Sequence, residues 1–111
     1  MEVAFSTRKL AKLCSSAKEM TGKWEKPMAA KIQQRLLELL AADKLEDVPR
    51  VPPPRCHEMS GNRKGQLAVV LVQPFRLVFS PDHDPIPKKE DGGLDWSRVT
   101  KVVVEEIIDY H

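Results

Sequence analysis

The chain changes its hydrophobic period near its middle, from a helical period to a strand period. Val3 and Phe5 alternate with polar residues and predict a short first strand, after which Ser6 or Thr7 can cap a helix. Apolar residues then recur every three or four positions, at Leu10, Leu13, Cys14 and Ala17. We expect this first helix to stop at Gly22.

A second helix is predicted to begin at Pro27, because a proline in the first turn of a helix sacrifices no hydrogen bond. Its apolar stripe comprises Met28, Ile32, Leu36, Leu39 and Leu40. Prolines dominate residues 48–54 and predict an extended connector, since proline breaks helices and cannot donate to a sheet ladder. The two helices should therefore form a hairpin that precedes the remaining strands.

The second half of the chain predicts four strands, over residues 55–59, 66–73, 75–79 and 99–108. In the third of these, one face carries Phe75, Leu77 and Phe79 and the other carries Arg76 and Val78. Residues 81–95 predict a long, mobile polar loop. The predicted fold is α+β: an N-terminal strand and an αα-hairpin packed on one face of a mainly antiparallel sheet, in the order β-α-α-β-β-β-β. The other face is left for a site.

Composition narrows the class of protein without identifying its activity. The 111 residues fit a single domain over 1–111, and 41% hydrophobic with 31% charged residues is an ordinary globular composition. The longest apolar run, residues 67–72, is far shorter than the ~20 residues of a membrane span, and no signal-peptide pattern is present. We therefore expect no membrane association and a cytosolic location. Cys14 and Cys56 form no Cys-x-x-Cys pair and are interpreted as buried small hydrophobes.

Positive charge is concentrated in the first half of the chain. Residues 1–64 carry 13 basic and 8 acidic side chains, whereas residues 65–111 carry 5 and 8. Such asymmetry reflects either solvated helix faces or an electrostatic footprint for phosphates, and composition alone favours the solvated faces. The basic residues expected on exposed helix faces are Arg8, Lys9, Lys12, Lys18, Lys31 and Arg35.

Several catalytic and cofactor motifs are absent. The chain has no Gly-x-Gly-x-x-Gly, Walker loop, Gly-x-Ser-x-Gly or His-Glu-x-x-His, so nucleotide-cofactor and serine-hydrolase functions have no support. The segment 82–84, Asp-His-Asp, superficially suggests a metal site, but no partner follows at regular spacing and a solvated loop is favoured. Cys56 and His57 point to opposite faces of a strand and cannot easily bind one ion. We predict neither a metal nor a cofactor.

The remaining candidates are polar residues on or beside the strands. Arg76 interrupts an apolar strand, so its guanidinium must reach solvent, a phosphate or a carboxylate. A structural ion pair with Glu58 or Glu106 would explain it without any function. Arg63 and Lys64 occupy the turn before the central strand, where an isolated basic pair is usually no more than a solvated turn.

Three functional side chains follow the last predicted strand, namely Asp109, Tyr110 and His111. Negative charge near His111 favours its imidazolium form, which suits proton transfer. In a regular strand Asp109 and His111 share a face and Tyr110 points away, so all three converge only if the chain leaves strand geometry. The alternative is a frayed tail without function.

Three segments together resemble the HigB branch of the RelE/ParE toxin superfamily. They are residues 56–67 (Cys-His-Glu-Met-Ser-Gly-Asn-Arg-Lys-Gly-Gln-Leu), 74–79 (Pro-Phe-Arg-Leu-Val-Phe) and 107–111 (Ile-Ile-Asp-Tyr-His). The likeness covers almost the whole chain, and the terminal Asp-Tyr-His distinguishes the HigB type, although the excursion at 81–95 is longer than in compact members. The resemblance implies a RelE-like fold and a bacterial type II toxin, an endoribonuclease that cleaves mRNA in the ribosomal A site without a metal.

The resemblance also implies roles for the candidate residues. The substrate's own 2′-hydroxyl attacks the adjacent phosphate, so the protein must move protons and stabilise charge on phosphate oxygens. Arg76 would stabilise that charge, His111 would act as general base or acid, and Asp109 would assist His111. Lys64 would supply a second cation, and Tyr110 would pack or stack on a base. The expected contacts to the ribosome and RNA are Arg63, Arg8, Lys9, Lys12, Lys31 and Arg35.

The resemblance further implies a cognate antitoxin, HigA-like and carrying a helix-turn-helix, and a location in the bacterial cytoplasm. Two other functions stay open. A ParE-like relative would poison DNA gyrase without RNA chemistry, which the Asp-Tyr-His end disfavours. A non-catalytic module would bind nucleic acid or a protein through its helical face, and it would tolerate substitution of Arg76 and His111 together.

Overall fold

The apolar segments of the second half form the middle of a five-stranded sheet, and the first half supplies one edge strand and the helical cover. The computed structural model describes residues 1–110. The strands are β1 (Glu2–Phe5), β2 (His57–Glu58), β3 (Leu67–Val70), β4 (Phe75–Pro81) and β5 (Lys101–Asp109), and the helices are α1 (Arg8–Ser15), α2 (Ala17–Lys23) and α3 (Lys26–Ala41). The predicted α+β class, with helices between the first strand and the rest, is confirmed.

The strands β4 and β5 pair at the centre of the sheet, whose order is β1-β5-β4-β3-β2. β1 runs parallel to β5 and the other neighbouring strands are antiparallel. The predicted mainly antiparallel sheet is therefore confirmed. The pairing of β4 with β5 shifts between Val78 and Phe79, so Val78 lies opposite Glu106 whereas Phe79 lies opposite Val104. At this point β5 has one more residue than β4. The alternation of β5 side chains between the two faces of the sheet therefore shifts by one residue.

The predicted first helix is in fact two helices, α1 and α2, separated at Ser16. Ser16 has an extended backbone, and its side chain accepts a hydrogen bond from the Glu19 amide at 3.3 Å. A serine that caps a new helix ends the preceding one. The apolar spacing nevertheless continues across Ser16 in the sequence, so it predicted a single helix. Thr7 caps α1 as expected, and α2 extends one residue past Gly22. Among residues 1–110, no helix is long and apolar enough to cross a membrane.

Helix α3 covers the sheet with most of its predicted stripe. Its buried apolar residues are Met28, Ala29, Ile32, Leu36 and Leu39. Pro27 lies in the first turn, as predicted. Leu40 was expected in the same stripe but is 53% exposed. Together with Leu37 it faces a groove of about 390 Å³ that Val3 and Phe5 of β1 also line, so these leucines lie beside the core rather than in it.

Both cysteines are free and buried, as predicted. Cys56 joins the main core and is 1% exposed, and burial raises the pKa of its thiol to about 12. Burial also raises the pKa of the Cys14 thiol above its ordinary value. A desolvated thiol resists ionisation, so these residues pack as small hydrophobes.

Strand β2 is much shorter than the predicted strand over 55–59. Arg55 adopts a positive φ of 46°, and its amide donates to the Val51 carbonyl at 3.1 Å, so the chain is still turning there. Pairing with β3 therefore starts only at His57. The predicted strand over 66–73 also ends early, because the Phe75 amide closes a turn onto the Val72 carbonyl at 2.7 Å.

The excursion at 81–95 is tied to the sheet rather than free. The His83 Nε2 atom accepts a hydrogen bond from the Thr100 amide at 3.1 Å. The Arg98 Nη2 atom donates to the Lys88 carbonyl at 2.7 Å. His83 thus closes the loop onto the start of β5, and the expectation of a mobile segment is not supported by these contacts.

Candidate functional site

The two faces of the sheet differ in what covers them. Phe75, Leu77 and Phe79 face the helices and Arg76 and Val78 face the other way, as the alternation predicted. On that second face, Arg76 lies between Val70 of β3 and Ile108 of β5. A small apolar cluster sits beside it, formed by Met59, Ala68, Val78 and Ile108. Within residues 1–110 no helix residue joins this cluster, so the second face is the free one.

The guanidinium of Arg76 is held at the turn between β3 and β4. Its Nη1 atom donates to the Gln73 side-chain oxygen at 3.0 Å and to the carbonyls of Pro74 at 3.2 Å and Phe75 at 2.9 Å. Its Nε atom is buried and has no hydrogen-bond partner among residues 1–110. The side chain is therefore fixed by neutral acceptors through one nitrogen, and a buried donor is left unpaired at a cost in stability.

The structural ion pair that would have explained Arg76 is not formed. The Glu58 carboxylate accepts a hydrogen bond from the Trp96 indole at 2.9 Å. The Glu106 carboxylate lies 2.6 Å from the Arg63 guanidinium. Both candidate carboxylates have other partners, so the positive charge of Arg76 is not neutralised by either.

Tyr110 lies beside Arg76. The Arg76 guanidinium carbon is 5.8 Å from the Tyr110 ring centre, within the range of a cation–π contact. The Tyr110 amide donates to the Pro74 carbonyl at 3.1 Å, which ties the end of β5 to the same turn that holds Arg76. Asp109 pairs with Phe75 and so precedes Tyr110 on the alternate side of the strand. His111 lies outside the described residues.

Lys64 lies at the other end of β3 from Arg76. Val70 pairs with Arg76, whereas Lys64 precedes Leu67 and lines a cleft with Ser80, at the far end of β4. The span from Leu67 to Val70 alone is about 10 Å of strand. The structure therefore separates Lys64 from Arg76 along the strands. The neighbouring Arg63 is committed to Glu106, as described above.

The prediction that Arg35 lies on an exposed helix face is wrong. Its side chain is 2% exposed, with Nε donating to the Val70 carbonyl at 2.7 Å and Nη1 donating to Glu38 at 3.0 and 3.1 Å. Arg35 sits between Ile32 and Leu39 on the buried stripe of α3, so the helix turns it inward. It stabilises the packing of α3 on β3 and is not available to a ligand.

The other basic residues of the first half lie near the surface. Arg8, Lys9 and Lys12 are exposed on α1, and Lys31 is half-buried on α3. The Lys12 ammonium lies 3.6 Å from Glu19. Lys9 lines a cleft of about 260 Å³ between α1 and the end of β5, which is also lined by Lys23, Trp24, Glu105 and Glu106. Lysine beside an aromatic ring is a pairing suited to single-stranded nucleic acid.

His57 also lies on the second face, although it was not among the residues predicted for the site. It pairs with Ala68, which places it on the second face with Val78 and Arg76. Its Nδ1 atom is 2.8 Å from the Arg55 carbonyl, which can only accept, so Nδ1 carries a proton and donates to it. The pairing of His57 with Ala68 determines the face on which His57 lies. Because β2 is so short, this register could not be predicted from the sequence.

Metal ligands do not gather anywhere in the described chain. Residues 1–110 contain no group of three or more His, Cys, Asp or Glu side chains that could hold an ion. In the Asp-His-Asp segment, His83 uses Nε2 to accept from backbone amides and is thereby occupied. Asp95, further along the loop, is held by the Ser97 hydroxyl and amide and by Arg98, and these hydrogen bonds lower the pKa of its carboxyl.

The fold is similar to a solved structure, that of a YoeB/ParE toxin from Agrobacterium tumefaciens, with a TM-score of 0.59. The similarity covers 100% of both chains at 10% sequence identity. No protein-family model matches the chain, and no curated protein does so either. At this identity the likeness establishes the toxin-type fold, including the RelE-like arrangement expected from the sequence, and leaves the chemistry to be argued from the residues.

Proposed function

We propose that this chain is the toxin of a type II toxin–antitoxin pair and that it cleaves mRNA on the ribosome, as HigB-type toxins do. Two kinds of likeness support the proposal. The three sequence segments resemble the HigB branch, and the fold is similar to that of a YoeB/ParE toxin. The observation that carries the proposal is the guanidinium of Arg76 on the free face of the sheet, which pairs with neither Glu58 nor Glu106.

Arg76 would bind the phosphate at the cleaved linkage. Its Nη1 atom is held by the turn and its Nε atom is buried, so the remaining terminal nitrogen, Nη2, would donate to a phosphate oxygen. Because attack of the 2′-hydroxyl adds negative charge to the phosphate oxygens, a fixed cation stabilises the transition state more than the bound substrate. An arginine already paired with a carboxylate could not do this as well.

The residues at the end of β5 and beyond it would supply the proton transfers. His111 is proposed as general base or acid, with Asp109 assisting it, and the reaction needs no metal in this scheme. Tyr110 is proposed to orient Arg76 or to stack on a base of the transcript, because its ring lies 5.8 Å from the guanidinium carbon. His57, with Nε2 unengaged within residues 1–110, is a further group on the same face that could accept a proton.

The basic first half would hold the ribosome and RNA. The proposed contacts are Arg8, Lys9, Lys12 and Lys31, together with the cleft that contains Lys23 and Trp24. We also propose a cognate antitoxin of the HigA type as the protein partner. Binding carried by lysine and arginine contacts to phosphates weakens steeply with salt, so the affinity for ribosomes should fall between low and moderate salt.

The test is induced expression in bacteria of the wild type beside an Arg76→Ala, His111→Ala double variant. Growth and newly formed mRNA ends are read in the same cultures, and Arg55→Ala, which removes an exposed guanidinium near β2, is the matched control. The wild type and the control should arrest growth and create mRNA ends at codons, and the double variant should do neither. Growth arrest with damaged DNA and intact mRNA would contradict the proposal and favour gyrase poisoning.

A further inference from the structure

We propose that the cleft beneath the 81–95 loop, called here the loop cleft, binds one unpaired guanine nucleotide of RNA. The loop cleft has a volume of about 400 Å³ and lies between that loop, the turn before β3 and the end of β4. A volume of this size is typical of small-ligand sites. The inference rests on the proposed function for its biological setting, and it concerns a second subsite on the same transcript.

The loop cleft is lined by two basic residues. Lys64 and Lys88 line it, and neither forms an ion pair or a side-chain hydrogen bond within residues 1–110. The next residue, Lys89, differs, because its ammonium lies 3.8 Å from Asp91. Two ammonium groups that face one cavity attract an anionic group, and a backbone phosphate is the anion that RNA offers at every nucleotide.

The same cleft contains one carboxylate, which favours a base over a free phosphate. Glu58 lines the wall, and the Trp96 indole fixes one of its oxygens at 2.9 Å. The other oxygen is an acceptor, so it repels phosphate but binds N–H donors. Guanine presents adjacent N–H groups on its Watson–Crick edge, the edge that single-stranded RNA leaves readable. A guanine nucleotide would therefore place its phosphate at the two lysines and the N–H groups of its base at the Glu58 carboxylate.

The floor of the loop cleft is apolar. Leu67, Pro81, Ile86 and Leu94 line it, next to backbone of Gly92 and Gly93. A base can lie flat against such a floor, because its ring faces need no hydrogen bonds. Gly92 has a φ of 88°, a conformation that glycine adopts without strain, and it closes the turn that brings Leu94 back over the cleft.

The loop is held in place without a ligand. The Asp95 amide donates to the Pro87 carbonyl at 3.0 Å, and Arg98 holds the Lys88 carbonyl at 2.7 Å. A cleft that is already formed binds without the entropic cost of ordering a loop. Ser80 lies about 13 Å along β4 from Arg76, and Leu67 and Pro81 belong to the helix face of the sheet, so the loop cleft would take a nucleotide other than the one being cut.

The test measures RNA binding to the whole protein by fluorescence anisotropy. The probes are two labelled single-stranded hexaribonucleotides, one all uridine and one with a single guanosine. The wild type should prefer the guanosine probe, and Lys88→Ala should weaken its binding about tenfold and lower the slope of log affinity against log salt by about 0.7. Glu58→Gln keeps an oxygen for Trp96 but should abolish the preference for guanosine.

Lys89→Ala is the matched control, since it removes the same charge one residue away from a lysine that already has an acidic neighbour. It should change the affinity by less than about twofold, as surface charges do when they make no ligand contact. Equal losses for Lys88→Ala and Lys89→Ala, or a guanosine preference that survives Glu58→Gln, would overturn the inference. Because binding is measured without cleavage, a failure here leaves the proposed ribonuclease function standing, and absent mRNA ends in cells would leave this binding result standing.

Discussion

Two arginines lie near the same end of β3 on opposite sides of the sheet, and their surroundings differ. Arg35 reaches down from α3, donates to the Val70 carbonyl at 2.7 Å and pairs with Glu38. Arg76 lies cross-strand from Val70 on the free face, with its Nε unpartnered among residues 1–110. The charge of Arg35 is neutralised by Glu38, whereas neither Glu58 nor Glu106 pairs with Arg76. The role of an arginine is therefore decided by its partners and not by its burial alone.

The same contrast extends to the two faces as a whole. The helix face is a continuous apolar core that includes Leu77, Phe79, Val102 and Val104, all fully buried. The free face has only the small cluster around Val78 and is bordered by Arg63, Arg76 and Tyr110. Changes on the helix face should therefore alter stability, whereas changes on the free face should alter activity.

The largest effect should come from Arg76→Ala. We expect mRNA cleavage by translating ribosomes supplied with the purified protein to fall by about 10²- to 10³-fold, because one fixed donor to developing charge is lost. Arg76→Lys should lose less, since lysine keeps the charge but not the planar fork. Both variants should unfold within about 1 kcal/mol of the wild type in urea. Full cleavage by Arg76→Ala would remove the free face from the mechanism.

The order of elements could be predicted because hydrophobic period reports directly on helix and strand. The position of Arg35 was also available, since it falls three residues after Ile32 and four before Leu39, on the buried stripe. Arg35 was predicted to be exposed because it is charged, although its spacing indicated a buried position. The sequence alone does not show that Glu38 and a strand carbonyl accept its hydrogen bonds. The spacing of apolar residues indicated the burial of Arg35 correctly, whereas the general rule that arginine is exposed was wrong at this position.

Distances between elements were beyond the sequence. Lys64 and Arg76 both belong to segments that resemble a toxin, yet the antiparallel register places them at opposite ends of β3 and β4. The break at Ser16 was also missed, because a serine cap and a polar helix position look alike in a periodic pattern. The proposed role of His111 stays a prediction, since that residue is outside the described part of the chain.

The next largest effect should be on stability, from Arg35→Ala. The substitution leaves the buried Val70 carbonyl without its donor and Glu38 without its cation, so the free energy of unfolding should fall by about 2 to 3 kcal/mol. Urea denaturation measures it, with Lys26→Ala, an exposed change on the same helix, expected to stay within about 0.5 kcal/mol. A loss smaller than that of Lys26→Ala would mean that the buried contacts of Arg35 do not stabilise the fold.

A smaller effect should appear at alkaline pH through Cys56 on the helix face. Burial raises the pKa of its thiol from 9.0 to about 12, so the folded state keeps a proton that the unfolded state loses. The stabilisation is complete below pH 9 and is lost as the pH rises toward 12, with a loss of about 1 kcal/mol between pH 9 and pH 10. Urea denaturation of the wild type and Cys56→Ala across this range should show the steeper decline in the wild type. Parallel curves would indicate that solvent reaches this part of the core.

The smallest effect should come from Glu106→Gln on the free face. The ion pair of Glu106 with Arg63 is short, at 2.6 Å, but both side chains are partly exposed, so breaking it should cost no more than about 1 kcal/mol of stability. Because the substitution also removes negative charge close to Arg76, RNA should bind about two- to threefold more tightly at low salt and equally at high salt. Anisotropy with the uridine probe measures the affinity, and Glu46→Gln, which removes one partner of the exposed ion pair with Lys44, is the control. A stability loss as large as that of Arg35→Ala, with unchanged RNA affinity, would show that the free face is as structural as the covered one.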